Sequence, residues 1–575
     1  MVLEAHLSSH GCVPLIVGVT GHRDIVAEER PVLEASVQRF IAALQAQFPN
    51  LPLLVLTSIA EGADTLVAEV AIRSGCQVQI VLPMPLDLFA TDFEGDALVK
   101  FHSLMAGQDV IELPVQEGVS DEAVSQSGHA RDGQYVRLGS FLAAHSHILL
   151  ALWDGQYQPA LGGTSQVIHI HQRDISAMAD TTERSRLDIR DDESDLVYHI
   201  PCSRKSSGTP AHGLKPGEGR WFTRDDTAPR VTELPLRYLS VFERAQEFNQ
   251  DVCALKTWRD ATDLQPDVLP AAAESRCADI RALFLAADAL GRRFQKRVLW
   301  SLRLTLTSVV GAGLSFILYA DFADQDYMIW GYLLFVALTL VSYLLAGRRQ
   351  WHRRYVDYRV LAEALRVQFY WALSGVEMTH PHRFSHDSFF QGRDLQLGWI
   401  RNVMRFTGLQ SDGGPRPDAT ALMQAVDGWV GDENRGQFGY FRQKAEEKLK
   451  THRLTQKLIT LCFSLGVTAA AVLAFAVGEL ATLTGNLLVA LMGVLPITAA
   501  VRQTYAHRTA ERELVAQFAN MRTVFENAHR MIAGARTREE QLQILRDLGE
   551  AALSEQAQWV VRQRERPLPG SDAMA

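Results

Sequence analysis

The chain has 575 residues, 47% of them hydrophobic, and a formal net charge of −9. That length exceeds one ordinary core, so three or four structural units are expected. The acidic balance excludes a general nucleic-acid binder, which needs a broad basic surface.

The six cysteines, at 12, 76, 202, 253, 277 and 462, show no metal-ligand spacing and are too scattered for a disulfide framework. Reduced thiols in a reducing compartment, and no metal site, are therefore expected. Glu4, His6 and His10 interrupt the opening residues, so no signal peptide is expected and the N-terminal domain is expected in the cytoplasm.

Residues 13–19 form an apolar run that ends in Gly-His-Arg, and 34–47 have helical periodicity. A second buried run at 53–57 leads into Glu-Gly-Ala-Asp and a helical stretch through 74. Further strands are expected at 77–82, 110–113, 148–153 and 197–200, with helices at 93–106 and 135–145 between them. Short, fully apolar strands alternating with helices imply a parallel sheet covered on both faces. The expected fold is thus α/β, a doubly wound, Rossmann-like sheet. The polar stretches 172–194 and 203–230 read as long loops or partly disordered insertions. Residues 236–297 read as helical.

The second half differs in kind. Segments 304–320, 328–346 and 458–477 are long enough to span a bilayer and contain no charged residue. Segment 487–501 becomes long enough if 480–486 joins it. Trp300, Tyr319, Tyr327 and Trp330 sit where an aromatic belt belongs. Arg292, Arg293, Lys296, Arg297 and Arg303 precede the first span, and Arg348, Arg349, Arg353 and Arg354 follow the second. The connector between them carries Asp321, Asp324 and Asp326. Lys448, Lys450, Arg453 and Lys457 precede the third span, Arg502 and Arg508 follow the fourth, and that connector carries Glu479. The positive-inside rule places both chain ends of each hairpin in the cytoplasm.

This arrangement is an internal duplication of pattern. Each copy runs basic helix, span, short acidic connector, span, then a long charged helix, over 348–374 and 502–533 at its end. The apolar stripes on those tails imply helix packing, between copies or between subunits. Gly311 with Ser315, and Gly466 with Ala470, are small pairs one turn apart that let spans approach closely. Thr305, Ser308, Thr339, Ser342, Thr468 and Thr498 line a pore or simply pack between helices. Charged groups are absent from the spans, which counts against an ion-coupled transporter.

Ligands of an open α/β sheet bind at loops leaving the carboxyl ends of strands. Three such loops stand out. In the first, Gly21, His22 and Arg23 follow strand one; glycine admits a phosphate, and Arg23 offers a charged fork. A plain tight turn is the alternative. In the second, Glu61, Gly62, Ala63 and Asp64 open a helix, where carboxylates suit ribose hydroxyls. Asp64 as a mere helix cap is the alternative. In the third, Trp153 and Asp154 close a strand, and Gly162, Gly163 and Thr164 precede a helix. Trp153 can stack on a base and the Gly-Gly-Thr turn can cradle phosphate; a buried Trp and a capped helix are the alternative.

In this order and on these elements, GHR, EGAD, WDG and GGT resemble the SLOG superfamily over roughly the first 200 residues. These Rossmann-like domains are related to the lysine-decarboxylase-like phosphoribohydrolases and to the cytoplasmic sensor of TRPM channels. The resemblance implies a nucleotide-derived ligand: a cyclic nucleotide, ADP-ribose or an NAD-related signal. Carried over, Gly21, His22 and Arg23 belong to the first ligand loop; Glu61, Gly62 and Asp64 to the second; Gly163 and Thr164 to the phosphate turn. The enzymatic branch has a PGGxGTxxE-type motif with a catalytic Glu. Here the stretch from Leu161 reads LGGTSQVI, without the final Gly-Thr and the Glu. Sensing is therefore expected over hydrolysis, with no catalytic residue assigned and no cofactor required.

The hairpins resemble the SLATT domain, a two-span effector module, through their architecture and the segment from Tyr355, YVDYRVLAE. That resemblance implies pore formation or membrane disruption on ligand-triggered assembly, in bacterial antiviral defence. The expected division is a sensing domain over 1–235, a helical linker over 236–297, and a first two-span module over 298–380. A connecting segment over 381–440, a second module over 441–535, and a C-terminal helix and tail over 536–575 complete it. The expected partners are a nucleotide second messenger, the lipid bilayer of the bacterial inner membrane, further copies of the chain and an enzyme that makes the signal. The alternatives are a membrane-tethered nucleotide or NAD hydrolase, using Asp154, Glu61 or Asp64 as acid or base, and a passive membrane scaffold.

Overall fold

A computed structural model describes residues 11–116, 118–157, 161–173, 196–206, 208–223, 230–255, 264, 269–321, 326–376, 379–380, 383–384, 397–413, 417–475 and 482–564. The expectations about 174–195, Asp324 and Glu479 lie outside the described residues. The chain forms two compact units: residues 1–286 with 364–422, and residues 287–363 with 423–575.

The first unit is built on a seven-stranded sheet in the order β4-β3-β2-β1-β5-β6-β7. Its strands are β1 (Leu15–Gly21), β2 (Leu53–Thr57), β3 (Gln77–Leu82), β4 (Asp109–Glu112), β5 (Ile148–Trp153), β6 (Val197–Pro201) and β7 (Arg220–Phe222). All neighbours are parallel except β6 and β7. β1, β2 and β5 are buried along nearly their whole length, which is why they read as unbroken apolar runs. Helices α1 (Arg30–Gln47), α2 (Ala63–Arg73), α3 (Leu86–Phe89), α4 (Gly95–Met105), α5 (Asp121–Ser125), α6 (His129–His145) and α7 (Thr164–Arg173) lie between the strands. The doubly wound α/β expectation is met.

The polar stretch after β6 is largely loop over its described part, and it also carries a short strand. The Ser203 amide donates to Glu29 at 2.8 Å, and Arg204 pairs with Asp24 at 2.9 Å. Its chain then returns as β7, whose Trp221 rests on Phe40 and Tyr198. Ser203, Arg204 and Ser206 thus anchor it to Asp24 and Glu29 in the segment after β1.

Helix α8 (Leu236–Cys253) lies against the amino ends of β1 and β2. Helix α12 (Gly398–Gly413), which comes from between the two hairpins in sequence, also belongs to this unit. His145 Nδ1 bonds the Arg405 carbonyl at 2.7 Å, His147 Nε2 bonds that of Asn402 at 2.8 Å, and Arg405 donates to the Ser146 carbonyl at 3.0 Å. Burial, and then Arg405, pulls His147 down to about 3. The ring therefore stays neutral and its Nδ1 accepts the Ile16 amide. Two-residue strands β8 (Thr379–His380) and β9 (Arg383–Phe384) pair antiparallel in this unit, and α13 (Ala419–Ala425) begins in it.

Four helices are long and apolar enough to cross a membrane, and they make the chain a multi-pass membrane protein. They lie in α9 (Ala271–Asp321), α10 (Met328–Arg348), α14 (Gly436–Phe475) and α15 (Thr482–Arg508). Phe316, Trp330, Val341, Phe463 and Phe475 are exposed there, as acyl chains require. Span one meets span two through Ser301 and Thr305, which bond Ser342 at 3.0 and 3.1 Å. Gly311 lies flat on the Phe335 ring, and Gly466 on Pro496. Thr339, Thr468 and Thr498 bond carbonyls four residues back on their own helices.

The duplication has a structural counterpart. Span two ends at Arg348 and span four at Arg508. Two residues on, Gln350 (φ 47°) and Ala510 (φ 53°) both take the left-handed conformation. Each is followed at once by a helix of 24 residues, α11 (Trp351–Ser374) and α16 (Glu511–Gly534). A side chain in that conformation costs about 1 kcal/mol relative to glycine. Gln350→Gly and Ala510→Gly should each raise stability by about 0.5–1 kcal/mol in thermal melts of the detergent-solubilised protein. A loss of more than that at either site would mean the side chain is needed for packing.

Candidate functional site

The sheet order places a topological switch point at β1, whose neighbours are β2 on one side and β5 on the other. Chain connections diverge there, leaving a crevice at the carboxyl ends. All three loops singled out in sequence converge on it. The His22 amide donates to the Leu152 carbonyl at 3.1 Å, and the Ala63 amide to the His22 carbonyl at 3.1 Å. A side chain on Gly21 would overlap Ala63 and stand 2.9 Å from the Leu152 oxygen. Gly62, at φ 91°, lies against the carbonyls of His22 and Arg23. The glycines are thus explained first by loop packing.

His22 is nearly enclosed, and its Nε2 accepts the Asp154 amide at 3.1 Å. Burial lowers its pKa against the pull of Asp154, so the ring is neutral and its 3.2 Å approach to the Asp154 carboxylate is not an ion pair. Asp154 is fully buried and accepts the Gln156 amide at 3.0 Å. Trp153 sits in the core with Leu149, Val167, Ile168 and Phe222, and its indole N–H donates to Gln156. Its ring is not open to a base.

Gly62 holds the cap position of α2, so Asp64 is not its cap. Its carboxylate instead accepts the Ser58 hydroxyl at 2.7 Å. Burial pushes Asp64 up to about 6, although Ser58 and Arg23 favour its charge. Between them, Ile59 is buried at φ 48°, a conformation that β-branched residues avoid. Strain of this kind gathers at binding sites. An acid with a higher pKa folded than unfolded adds stability below about pH 4, and that contribution is lost as pH rises through about 6. Asp64→Asn keeps an acceptor for Ser58. It should gain up to about 3 kcal/mol at pH 7.5 and nothing at pH 4, read from melts across that range.

The open side of the crevice centres on Arg23, 52% exposed in its side chain. Its guanidinium lies 5.0 Å over the Tyr135 ring and 3.6 Å from Asp92. Tyr135 also bonds Asp92, which Arg131 holds at 2.5 Å. Gly162, at φ 71°, lies against the Cβ and backbone of Tyr135, and its amide donates to Gln166 Oε1 at 2.6 Å. Thr164 begins α7 with Gly163 just before it, both half-buried, and Glu61 is exposed at the rim. Arg23 and the loop that leads into α7 therefore both meet Tyr135, and a helix N-terminus and a guanidinium are both suited to an anion.

Asp92, Arg131 and Tyr135 were not found from sequence, and Ser58 stood at the start of the second loop without a role of its own. Asp92 and Tyr135 come from outside the three glycine-bearing loops, and no local pattern marks them. Among the described residues no group of histidine, cysteine, aspartate and glutamate could hold a metal ion. No protein-family model matches the chain, and no curated protein matches it significantly.

Proposed function

We propose that the chain is a nucleotide-sensing membrane effector. The observation that carries this reading is the meeting of the Gly21–Arg23, Gly62–Asp64 and Gly162–Thr164 loops around the switch point, in a chain with four membrane-crossing helices. Arg23 and the start of α7 take a phosphate, and Glu61 at the rim takes ribose hydroxyls. The ligand is a nucleotide-derived signal: a cyclic nucleotide, ADP-ribose or an NAD-related compound. Binding favours an assembly in which the spans open a pore or disrupt the bilayer, which requires tighter binding to that state. The basic flanks put both termini in the cytoplasm, with the spans in a bacterial inner membrane. The biological setting is antiviral defence, with a separate enzyme making the signal and several copies of this chain responding to it. The SLOG and SLATT resemblances support this setting.

The test is thermal stabilisation of the full-length protein in detergent against such nucleotides, followed by dye release from vesicles. A ligand at a hundredfold its Kd should add about 2.7 kcal/mol. Arg23→Ala should weaken binding about 10- to 100-fold, since a charged hydrogen bond contributes about 1.5–3 kcal/mol, and leave the protein inserted. No shift with any compound, on folded protein, would leave a scaffold or a protein-triggered effector. One observation favours a second reading, a tethered hydrolase: Asp64, raised to about 6, has the pKa of a general acid or base. Turnover of NAD, lost in Asp64→Asn, would establish it.

A further inference from the structure

Helix α8 is fastened to the sheet by one polar face. Asn249 Nδ2 donates to the carbonyls of Val13 at 2.9 Å and Asn50 at 2.8 Å, while its Oδ1 accepts the Val13 amide at 2.8 Å. Gln246 Oε1 accepts the Asn50 amide at 3.1 Å. Cys253 lies four residues beyond Asn249 and ends the helix, so it lies on the same face. Cys12 immediately precedes Val13. The Asn249 clamp therefore sets the two cysteines side by side, and their side chains hydrogen-bond one another. Cys253 is exposed and Cys12 half-buried, whereas Cys202 and Cys277 are buried.

We propose that Cys12 and Cys253 close reversibly to a disulfide that fixes the end of α8 to the start of β1, with hydrogen peroxide as oxidant. The Cys253 thiolate attacks a peroxide oxygen; the O–O bond breaks, hydroxide leaves and is protonated to water, and Cys253 becomes a sulfenic acid. Cys12 sulfur then attacks the sulfenic sulfur. An S–S bond forms, the S–O bond breaks, and the departing hydroxide takes the Cys12 proton as water. Two thiols are oxidised and one peroxide is reduced to two waters. Burial, and then Cys253, pushes the Cys12 thiol up to about 11. This assigns first attack to exposed Cys253 and resolution to Cys12. Cellular dithiols reverse the bond by exchange. The inference stands apart from the nucleotide reading.

Full-length protein in detergent is titrated with hydrogen peroxide, quenched with N-ethylmaleimide and digested without reductant. Mass spectrometry should find a Cys12–Cys253 cross-linked peptide as the main oxidation product, removed by dithiothreitol. Cys253→Ser, at an exposed site, should fold normally, lack that peptide and leave Cys12 open to alkylation. Cys12→Ser should carry Cys253 onward to sulfinic acid, because its resolving partner is gone. Cys253 oxidised to sulfinic acid, or paired with Cys253 of another copy, while wild-type Cys12 remains alkylated, would overturn the proposal.

Discussion

Gly62→Ala is expected to destabilise the first unit by about 3–5 kcal/mol, from backbone strain and a forced contact together. Gly62 has φ 91° and ψ −116°, a region that side chains rarely enter. A Cβ there would also stand 2.6 Å from the His22 carbonyl oxygen. That oxygen cannot yield, because it accepts the Ala63 amide while the His22 amide holds the Leu152 carbonyl. The strain must therefore move the whole loop after β1, and with it Arg23. Gly534→Ala is the control: no atom lies near its Cβ, and the change should be neutral or slightly stabilising. Urea or thermal unfolding of the solubilised protein reads both. A Gly62→Ala protein within about 1 kcal/mol of wild type would mean that the two loops do not pack as described.

This separates two ways of damaging the proposed site. Arg23→Ala removes an exposed group and leaves the loops in place, so the proposed ligand binding should weaken about 10- to 100-fold with stability retained. Gly62→Ala loses both. The glycines that sequence marks as ligand approach points are needed in the first place to let three loops share one crevice.

What sequence reveals here follows from how local each signal is. The strands and spans read clearly because burial or lipid on all sides writes unbroken apolar runs, as in β5 and α10. The three loops read clearly because glycine at a strand end is a local mark. Tyr135 and Asp92 do not, because they join the site only through tertiary packing around Arg23. Trp153 reads from sequence as a stacking surface with a core residue as the alternative, and its neighbours Val167, Ile168 and Phe222 place it in the core. β7 is three residues in a polar stretch, too short for alternation to show. The matching left-handed breaks at Gln350 and Ala510 carry no glycine, so nothing local announces them.

The second unit offers the other large effect, at Asp357. Asp357→Ala is expected to destabilise the docking of the last helix, α17 (Arg538–Arg564), by about 2–4 kcal/mol. The carboxylate is 1% exposed and shared: Arg353, one turn back on α11, lies at 3.3 Å, and Arg564 of α17 at 2.8 Å. Removing it takes from both guanidinium groups the buried anion they share. Both are about one-fifth exposed or slightly more, so water relieves part of the cost, which sets the estimate below that for a sealed pair. Around this pair, His352 bonds the Gln563 carbonyl at 3.1 Å, and Tyr355 meets Trp559 edge-on. α17 also packs along α16. It lies outside the repeated pattern, and it ties the tail of the first copy to the tail of the second. Hydrogen exchange should show lost protection in α17 with β1 and β5 unchanged. Asp357→Asn, which keeps the shape but not the charge, should lie between Ala and wild type. Equal loss of protection in the sheet would mean that Asp357 supports the whole chain rather than this clasp.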